Sequence, residues 1–123
     1  MGEVEGRSDR RIFDQIWPLE AQEDALLDEI DQLDLQYDEA GAEYDQYLET
    51  NCDWNGSTWI CSAFQFQRAS EMFDALTALR DSLLAKLDEY YSVCEQVRSL
   101  RVELQQLRDA RFGASSYVFP SCS

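Results

Sequence analysis

The sequence predicts an all-α protein: an antiparallel two-helix coiled-coil hairpin that we expect to dimerise into a four-helix bundle. Apolar residues recur in a seven-residue rhythm over two long segments, and a single strong break separates these segments. The 123 residues include only five Gly and two Pro, so long uninterrupted helices are allowed. A seven-residue apolar repeat is typical of a helix that buries a narrow seam against a partner helix.

The first predicted helix covers residues 9–50 of a hairpin that spans residues 9–112. Residues 1–8 lack the repeat and are predicted to be disordered, whereas Asp9 is a favourable cap type. Pro18 predicts a kink, because proline has no N–H to donate inside a helix. The seam contains Ile12, Ile16, Leu19, Leu26, Ile30, Leu33, Tyr37, Ala40, Tyr44 and Tyr47, with Glu23 at one seam position.

Residues 51–58 form the predicted turn between the helices. Asn55-Gly56 is a tight-turn dipeptide, and Ser62 is a candidate cap for the following helix. A plain helix–helix turn is the preferred interpretation, and a short β-hairpin around Asn55-Gly56 is the alternative.

The second helix is predicted over residues 59–112. It should end near Phe112, where Gly113 supplies a C-cap, and residues 113–123 are predicted to form an extended tail. Its seam contains Ala69, Met72, Leu76, Leu79, Leu83, Tyr90, Val93, Val97, Leu100, Leu104 and Leu107, with Lys86 at one seam position.

Matching the two seams in antiparallel orientation predicts a register. It places Leu33 beside Leu76 and pairs the two seam charges, Glu23 and Lys86, which reduces the cost of each charge in the seam. Additional apolar residues widen the stripe beyond a two-helix seam and favour a homodimer. They are Leu27, Leu48, Phe66, Phe73, Leu87 and Cys94.

The four cysteines fit neither a CxxC pair nor a zinc ligand set. Cys52 and Cys61 bracket the turn, so a disulfide between them is expected in an oxidising compartment and two free thiols in a reducing one. Cys94 is interpreted as a small buried hydrophobe on the flank of the second helix.

Charge defines the expected partner. The net charge is −15, and the 55 residues from Phe13 to Gln67 contain 14 acidic side chains and no Lys or Arg. Such a surface repels nucleic acid and anionic lipid, and it attracts a protein with a basic surface. The predicted partner-binding acidic face comprises Asp24, Asp28, Asp31, Asp38, Glu39 and Asp45.

Catalysis, metals and cofactors are not expected. The chain has no His, no Gly-rich phosphate loop and no nucleophile paired with a base. It also lacks a secretory signal pattern and an apolar run of membrane-spanning length, so a soluble intracellular protein is expected. The predicted function is a non-catalytic adaptor or assembly subunit that presents an acidic helical face.

A DNA-mimic inhibitor is the first alternative function. The acidic row resembles the charge line of a DNA backbone, as in phage-type DNA-mimic inhibitors of nucleases or nucleic-acid-binding proteins.

Trp54 and Trp59 at the hairpin tip either anchor a partner or fold over the end of the core.

The second alternative follows from the turn. Trp54-Asn55-Gly56 between two amphipathic helices resembles the Trp-x-Gly helical-hairpin substrates of type VII secretion systems. Tyr91 and Glu95 match the spacing of the Tyr-x-x-x-Asp/Glu export signal of that family. The resemblance implies secretion through such a system.

Overall fold

The computed structural model describes residues 2–113, 119, 120 and 122, with side chains from residue 9 onward. Two long helices, α1 (Gly2–Asn51) and α2 (Ala63–Phe112), pack against each other, and the short strands β1 (Asp53–Trp54) and β2 (Trp59–Ile60) connect them. The predicted all-helical hairpin is therefore confirmed at the level of two packed helices.

Helix α1 is longer than the sequence predicted. It begins at Gly2, so the predicted disorder of residues 1–8 is wrong for the segment from Gly2 onward. Adding residues to an established helix costs little compared with nucleating one, so a helix extends past the end of its apolar seam. Pro18 lies inside the helix, which continues on both sides of it.

The connection is a β-hairpin, and the preferred prediction of a plain turn was wrong. Trp54 pairs with Trp59 and Asp53 with Ile60 in antiparallel register. The Asn55 Oδ1 atom accepts hydrogen bonds from the backbone N–H groups of Ser57 (3.0 Å) and Thr58 (2.9 Å). Gly56 has a φ of 100°, a conformation that favours glycine.

Capping residues set both ends of α2. Ser62 and Gln65 form a capping box, in which the Ser62 N–H donates to Gln65 Oε1 (3.1 Å) and the Gln65 N–H donates to Ser62 Oγ (3.3 Å). The helix therefore begins at Ala63, after the predicted start at residue 59. At the other end Gly113, with a φ of 100°, donates to the Asp109 carbonyl (2.9 Å).

The predicted extended tail, residues 113–123, lies largely outside the described residues. Residues 114–118, 121 and 123 are not described, so the prediction stays untested for them. Phe119, Pro120 and Cys122 are described.

The chain divides into two compact units. Unit 1 contains Met1–Asp28 and Leu87–Ser123, and unit 2 contains Glu29–Lys86. The core of unit 1 is built from Ile12, Ile16, Val97 and Leu104, with Leu19, Leu100 and Leu107 packed against them. The core of unit 2 is built from Leu48, Cys52 and Ala69, with Tyr44, Tyr47, Trp59 and Cys61 packed against them.

The observed helix register differs from the predicted one. In unit 2, the Lys86 Nζ atom lies 2.8 Å from Glu29 Oε2, and Gly41 lies close to Leu76, whose Cδ2 atom would be 4.0 Å from a Cβ at Gly41. In unit 1, Glu23 is next to Arg101. The predicted pair of Leu33 with Leu76 is therefore wrong. For the predicted pair of Glu23 with Lys86, each residue has an oppositely charged neighbour within its own unit.

The register was ambiguous in the sequence for a physical reason. In unit 2 the displacement is about one heptad, and a shift of seven residues leaves every seam residue facing a seam residue. The apolar pattern therefore could not distinguish the two registers. In unit 2, the pairing of Trp54 with Trp59 fixes where the chain reverses, and it places the centre of the turn after Gly56.

Candidate interaction surfaces

The predicted acidic face is exposed. Asp24 and Asp28 are exposed in unit 1, and Asp31, Asp38, Glu39 and Asp45 are exposed in unit 2. Among the described residues, no Lys or Arg forms an ion pair with any of these six carboxylates. Their charge is therefore directed to water.

Heptad spacing aligns the unit 2 part of this face. Asp31, Asp38 and Asp45 are separated by seven residues, so they follow one line along α1. Asp45 directly follows the seam residue Tyr44 and precedes Leu48 by three residues. The acidic line therefore borders the apolar stripe of α1 instead of lying opposite it.

The two tip tryptophans have different environments. Their rings lie 5.5 Å apart between centroids, at an angle of 60°. Trp59 packs against the unit 2 core, whereas Trp54 is 56% exposed. Trp59 therefore packs over the end of the core, and the Trp54 ring is largely exposed to solvent. A role of Trp54 in binding a partner stays a prediction.

A disulfide joins Cys52 and Cys61 beneath the hairpin. Cys52 is buried in the core of unit 2. This bond is one of the two states that the sequence left open, and it ties the end of α1 to the segment that precedes α2.

An apolar groove lies beside the hairpin in unit 2. Its volume is about 390 Å³, and aromatic side chains form much of its wall, including Tyr44, Trp59, Phe66 and Phe73. The Tyr44 and Phe73 rings pack against each other with centroids 6.0 Å apart, so side chains of both helices line the groove. Phe66 and Phe73 are 65% and 55% exposed.

One charged residue, Asp74, lines this groove among the described residues. The sequence indicated Leu48, Phe66 and Phe73 as extra apolar positions, but it did not predict the groove. The seven-residue spacing of Phe66 and Phe73 indicates that both lie on one face of α2. Because the predicted register was incorrect, it did not identify the α1 residues that lie opposite them.

Unit 1 contains a larger cavity of about 800 Å³. Phe13, Trp17 and the tail residue Phe119 line it. The Arg108 guanidinium lies over the Phe13 ring, 5.6 Å from its centroid, and Arg101 forms an ion pair with Glu20 across the two helices. The cations of this cavity therefore already have intramolecular partners.

A second disulfide joins Cys94 to Cys122. The interpretation of Cys94 as an unbonded buried hydrophobe was therefore wrong. This bond attaches the tail to α2, and Phe119, Pro120 and Cys122 line a pocket together with Glu23, Cys94 and Arg101. The even number of cysteines was a signal for such a bond, although spacing alone does not give connectivity.

Partial burial raises the pKa of Glu23 above 4.5. The neighbouring carboxylates of Glu20 and Asp24 act in the same direction, and the Arg101 guanidinium opposes them. Burial therefore outweighs the cation, and the charged form of this seam residue is disfavoured.

The residues of the export-signal match have ordinary surface contacts. Tyr91 is 39% exposed and lies against Tyr90, with ring centroids 5.8 Å apart. The Glu95 carboxylate lies 3.9 Å from Arg98 on the same helix.

Comparison with known proteins adds no relative. The chain matches no protein-family model, and no curated protein or solved structure is significantly similar to it. Across the described part of the chain, neither helix has the length and apolarity to cross a membrane, and no group of His, Cys, Asp and Glu residues could hold a metal ion.

Proposed function

We propose that this protein is a non-catalytic protein–protein interaction module, an adaptor or assembly subunit, that presents the acidic face of α1 to a basic partner. The observation that carries the proposal is the line of Asp31, Asp38 and Asp45 in unit 2. These carboxylates are exposed, and no described cation pairs with them. A basic surface would gain electrostatic attraction there without first breaking an intramolecular ion pair.

Charge reversal tests the proposal. The triple variant Asp31→Lys, Asp38→Lys and Asp45→Lys should lose the partner that the parent protein retains on an affinity column with extract of the source cells. Binding by the parent should weaken as salt rises, because screening reduces attraction between exposed charges. Circular dichroism should show unchanged helicity, because all three side chains point to water.

A matched control variant distinguishes the effect of where the carboxylates lie from the effect of the change in net charge. Asp81→Lys, Asp88→Lys and Glu103→Lys change three exposed carboxylates of α2 by the same total charge. This control should retain the partner. If both triple variants lose it equally, binding depends only on overall charge and the acidic face of α1 has no special role.

A DNA-mimic inhibitor is the second candidate, and charge spacing favours it. Residues 31–45 contain six acidic side chains. With a helical rise of 1.5 Å per residue, this gives roughly 3.8 Å of helix axis per charge, comparable to the ~3.4 Å per phosphate of one DNA strand. Duplex DNA should then displace the captured partner, and a partner that DNA does not displace would exclude this candidate.

The four-helix bundle is a further proposal about assembly. A homodimer would pair the exposed apolar residues Phe66 and Phe73, so it would compete with a partner protein for this surface. The negative charge of unit 2 opposes such pairing, so a dimer should form more readily at high salt. Sedimentation of the purified protein at low and high salt measures this directly.

The cysteines support a proposal about compartment. All four are paired in two disulfides. Disulfides persist in oxidising compartments and are rare in the cytosol. This pairing favours an oxidising environment over the intracellular location expected from the sequence.

A further inference from the structure

We propose that the unit 2 groove receives a large apolar side chain from a basic amphipathic helix of a partner protein. The proposal rests on the proposed function, because it identifies the chemistry of the partner that the acidic face attracts. It adds an apolar anchor site, formed by Tyr44, Trp59, Phe66 and Phe73, to a surface that was so far defined only by charge.

The shape of the groove fits one anchor. A volume of about 390 Å³ lies at the lower end of the range for pockets that bind small molecules, so it accommodates a large side chain but not an entire helix. Aromatic walls from both helices surround it, and Phe66 and Phe73 remain more than half exposed. Helix-in-groove recognition uses such an apolar site to hold one face of an amphipathic helix.

The charges around the groove select a basic occupant. Asp74 lines the groove, and Asp45 borders its α1 wall through its position next to Tyr44. Neither carboxylate forms an ion pair with a described residue. No Lys or Arg lines the groove among the described residues. A Lys or Arg beside the apolar anchor would therefore meet a carboxylate on either side.

The same charges argue against a second copy as the occupant. Glu29–Lys86 contains twelve acidic and three basic residues. Two copies that met through this groove would bring strongly negative surfaces together, and like charges across an interface suppress association. A basic partner would instead be attracted to this negative surface.

A designed peptide provides the direct test. The probe is a fluorescently labelled amphipathic helix of Lys and Leu, about 18 residues or five turns long, with one Trp on its apolar face. Fluorescence anisotropy measures its affinity for the full-length protein with both disulfides intact. A second peptide with the same composition, scrambled to destroy the apolar face, isolates the contribution of the groove from that of charge.

Two variants locate the binding site. Phe66→Ser with Phe73→Ser should weaken binding of the amphipathic peptide about tenfold or more, because an aromatic anchor loses its walls. The matched control, Phe64→Ser with Phe112→Ser, removes two Phe side chains that are 79% and 80% exposed and do not line the groove. It should bind like the parent. Circular dichroism and urea denaturation verify that both variants are folded.

The outcomes separate the groove from the acidic face. If the Phe66 and Phe73 variant binds as tightly as the parent while the Asp31, Asp38 and Asp45 reversal abolishes binding, the groove proposal is overturned and the proposed function stands. If a Glu-for-Lys peptide binds as well as the Lys peptide, charge selection is absent, and the proposed function fails together with the basic occupant of the groove. Sedimentation of the parent as a dimer that the Phe66 and Phe73 variant dissolves would identify a second copy as occupant and overturn the proposal.

Discussion

The two units use the same heptad position of α2 in opposite ways. In unit 1 this position carries Leu87, Cys94, Arg101 and Arg108, and the last three have the intramolecular partners Cys122, Glu20 and the Phe13 ring. In unit 2 it carries Phe66, Phe73 and Arg80, which remain exposed. Position in the repeat therefore determines where a side chain lies, and the groups available nearby determine whether that flank is closed or open.

The tail explains much of this difference. Phe119 lines the unit 1 cavity, and the Cys94–Cys122 bond holds this part of the tail against α2. Unit 2 contains no tail residue, and its disulfide instead secures the hairpin. We therefore expect changes in unit 1 to affect mainly stability, and changes at the unit 2 groove to affect mainly binding.

Removal of the tail disulfide should produce the largest loss of stability. In the chain-entropy description, the 28-residue separation of Cys94 and Cys122 corresponds to about 3.6 kcal/mol, and the nine-residue separation of Cys52 and Cys61 to about 2.6 kcal/mol. Cys94→Ser with Cys122→Ser should therefore lower the free energy of unfolding more than Cys52→Ser with Cys61→Ser. Urea denaturation of both variants measures the difference.

Binding of an apolar dye tests whether the tail covers apolar side chains in unit 1. The Cys94 and Cys122 variant should bind more dye than the parent, because the Phe119 segment is no longer tied over the Phe13 and Trp17 side chains. The Cys52 and Cys61 variant is the matched control. Equal dye binding by the parent and the tail variant would contradict a covering role for the tail.

The ion pair of unit 2 should have a smaller effect. Glu29 and Lys86 are half-exposed, so their interaction should contribute about 0.5 kcal/mol, within the ~0–1 kcal/mol typical of surface pairs. A double-mutant cycle with Glu29→Gln and Lys86→Met measures the coupling. A control cycle that combines Lys86→Met with Asp34→Asn should show none, and stronger coupling to Asp34 than to Glu29 would contradict the register.

Replacement of Glu23 should have the smallest effect, and its sign depends on pH. Because the pKa of Glu23 is raised in the folded state, its contribution to the free energy of unfolding is fully present below pH 4.5 and is lost as the pH rises through the raised value. Glu23→Gln should therefore stabilise the protein at pH 7, by ~0.5 kcal/mol or less, relative to its effect below pH 4.5.

Thermal unfolding of the parent and Glu23→Gln across this pH range measures the effect. Glu39→Gln, which removes a carboxylate from the exposed face of α1, is the matched control. A variant that is less stable than the parent at pH 7, with the deficit shrinking in acid, would show that attraction to Arg101 outweighs burial.

Periodicity predicted the two packed helices, because the burial of a seven-residue stripe depends on local spacing alone. The helix register and the attachment of the tail depend on contacts between residues that are far apart in the sequence. The seven-residue apolar repeat does not specify these contacts. A one-heptad shift preserves the seam, so Glu23 and Lys86 appeared to be partners although Lys86 pairs with Glu29. Four cysteines permit several pairings, and only the fold brings Cys94 and Cys122 together.

The candidate surfaces were predictable to different degrees. The acidic line could be derived from the sequence, because side chains such as Asp38 lie beside a recognisable seam. The groove could not, because its walls combine Tyr44 of α1 with Phe73 of α2, and their proximity depends on the register. The β-hairpin was predicted only as the alternative to a plain turn, because two-residue strands carry no periodic signal.

The distribution of basic residues makes both disulfides readable by mass spectrometry. Trypsin cuts after Lys and Arg, and none occurs from Ile12 to Gln67, so one long fragment ending at Arg68 retains both Cys52 and Cys61. Cys94 falls in the fragment Leu87–Arg98, and Cys122 in the fragment that begins at Phe112. An unreduced digest should therefore contain one looped peptide and one linked pair of short peptides.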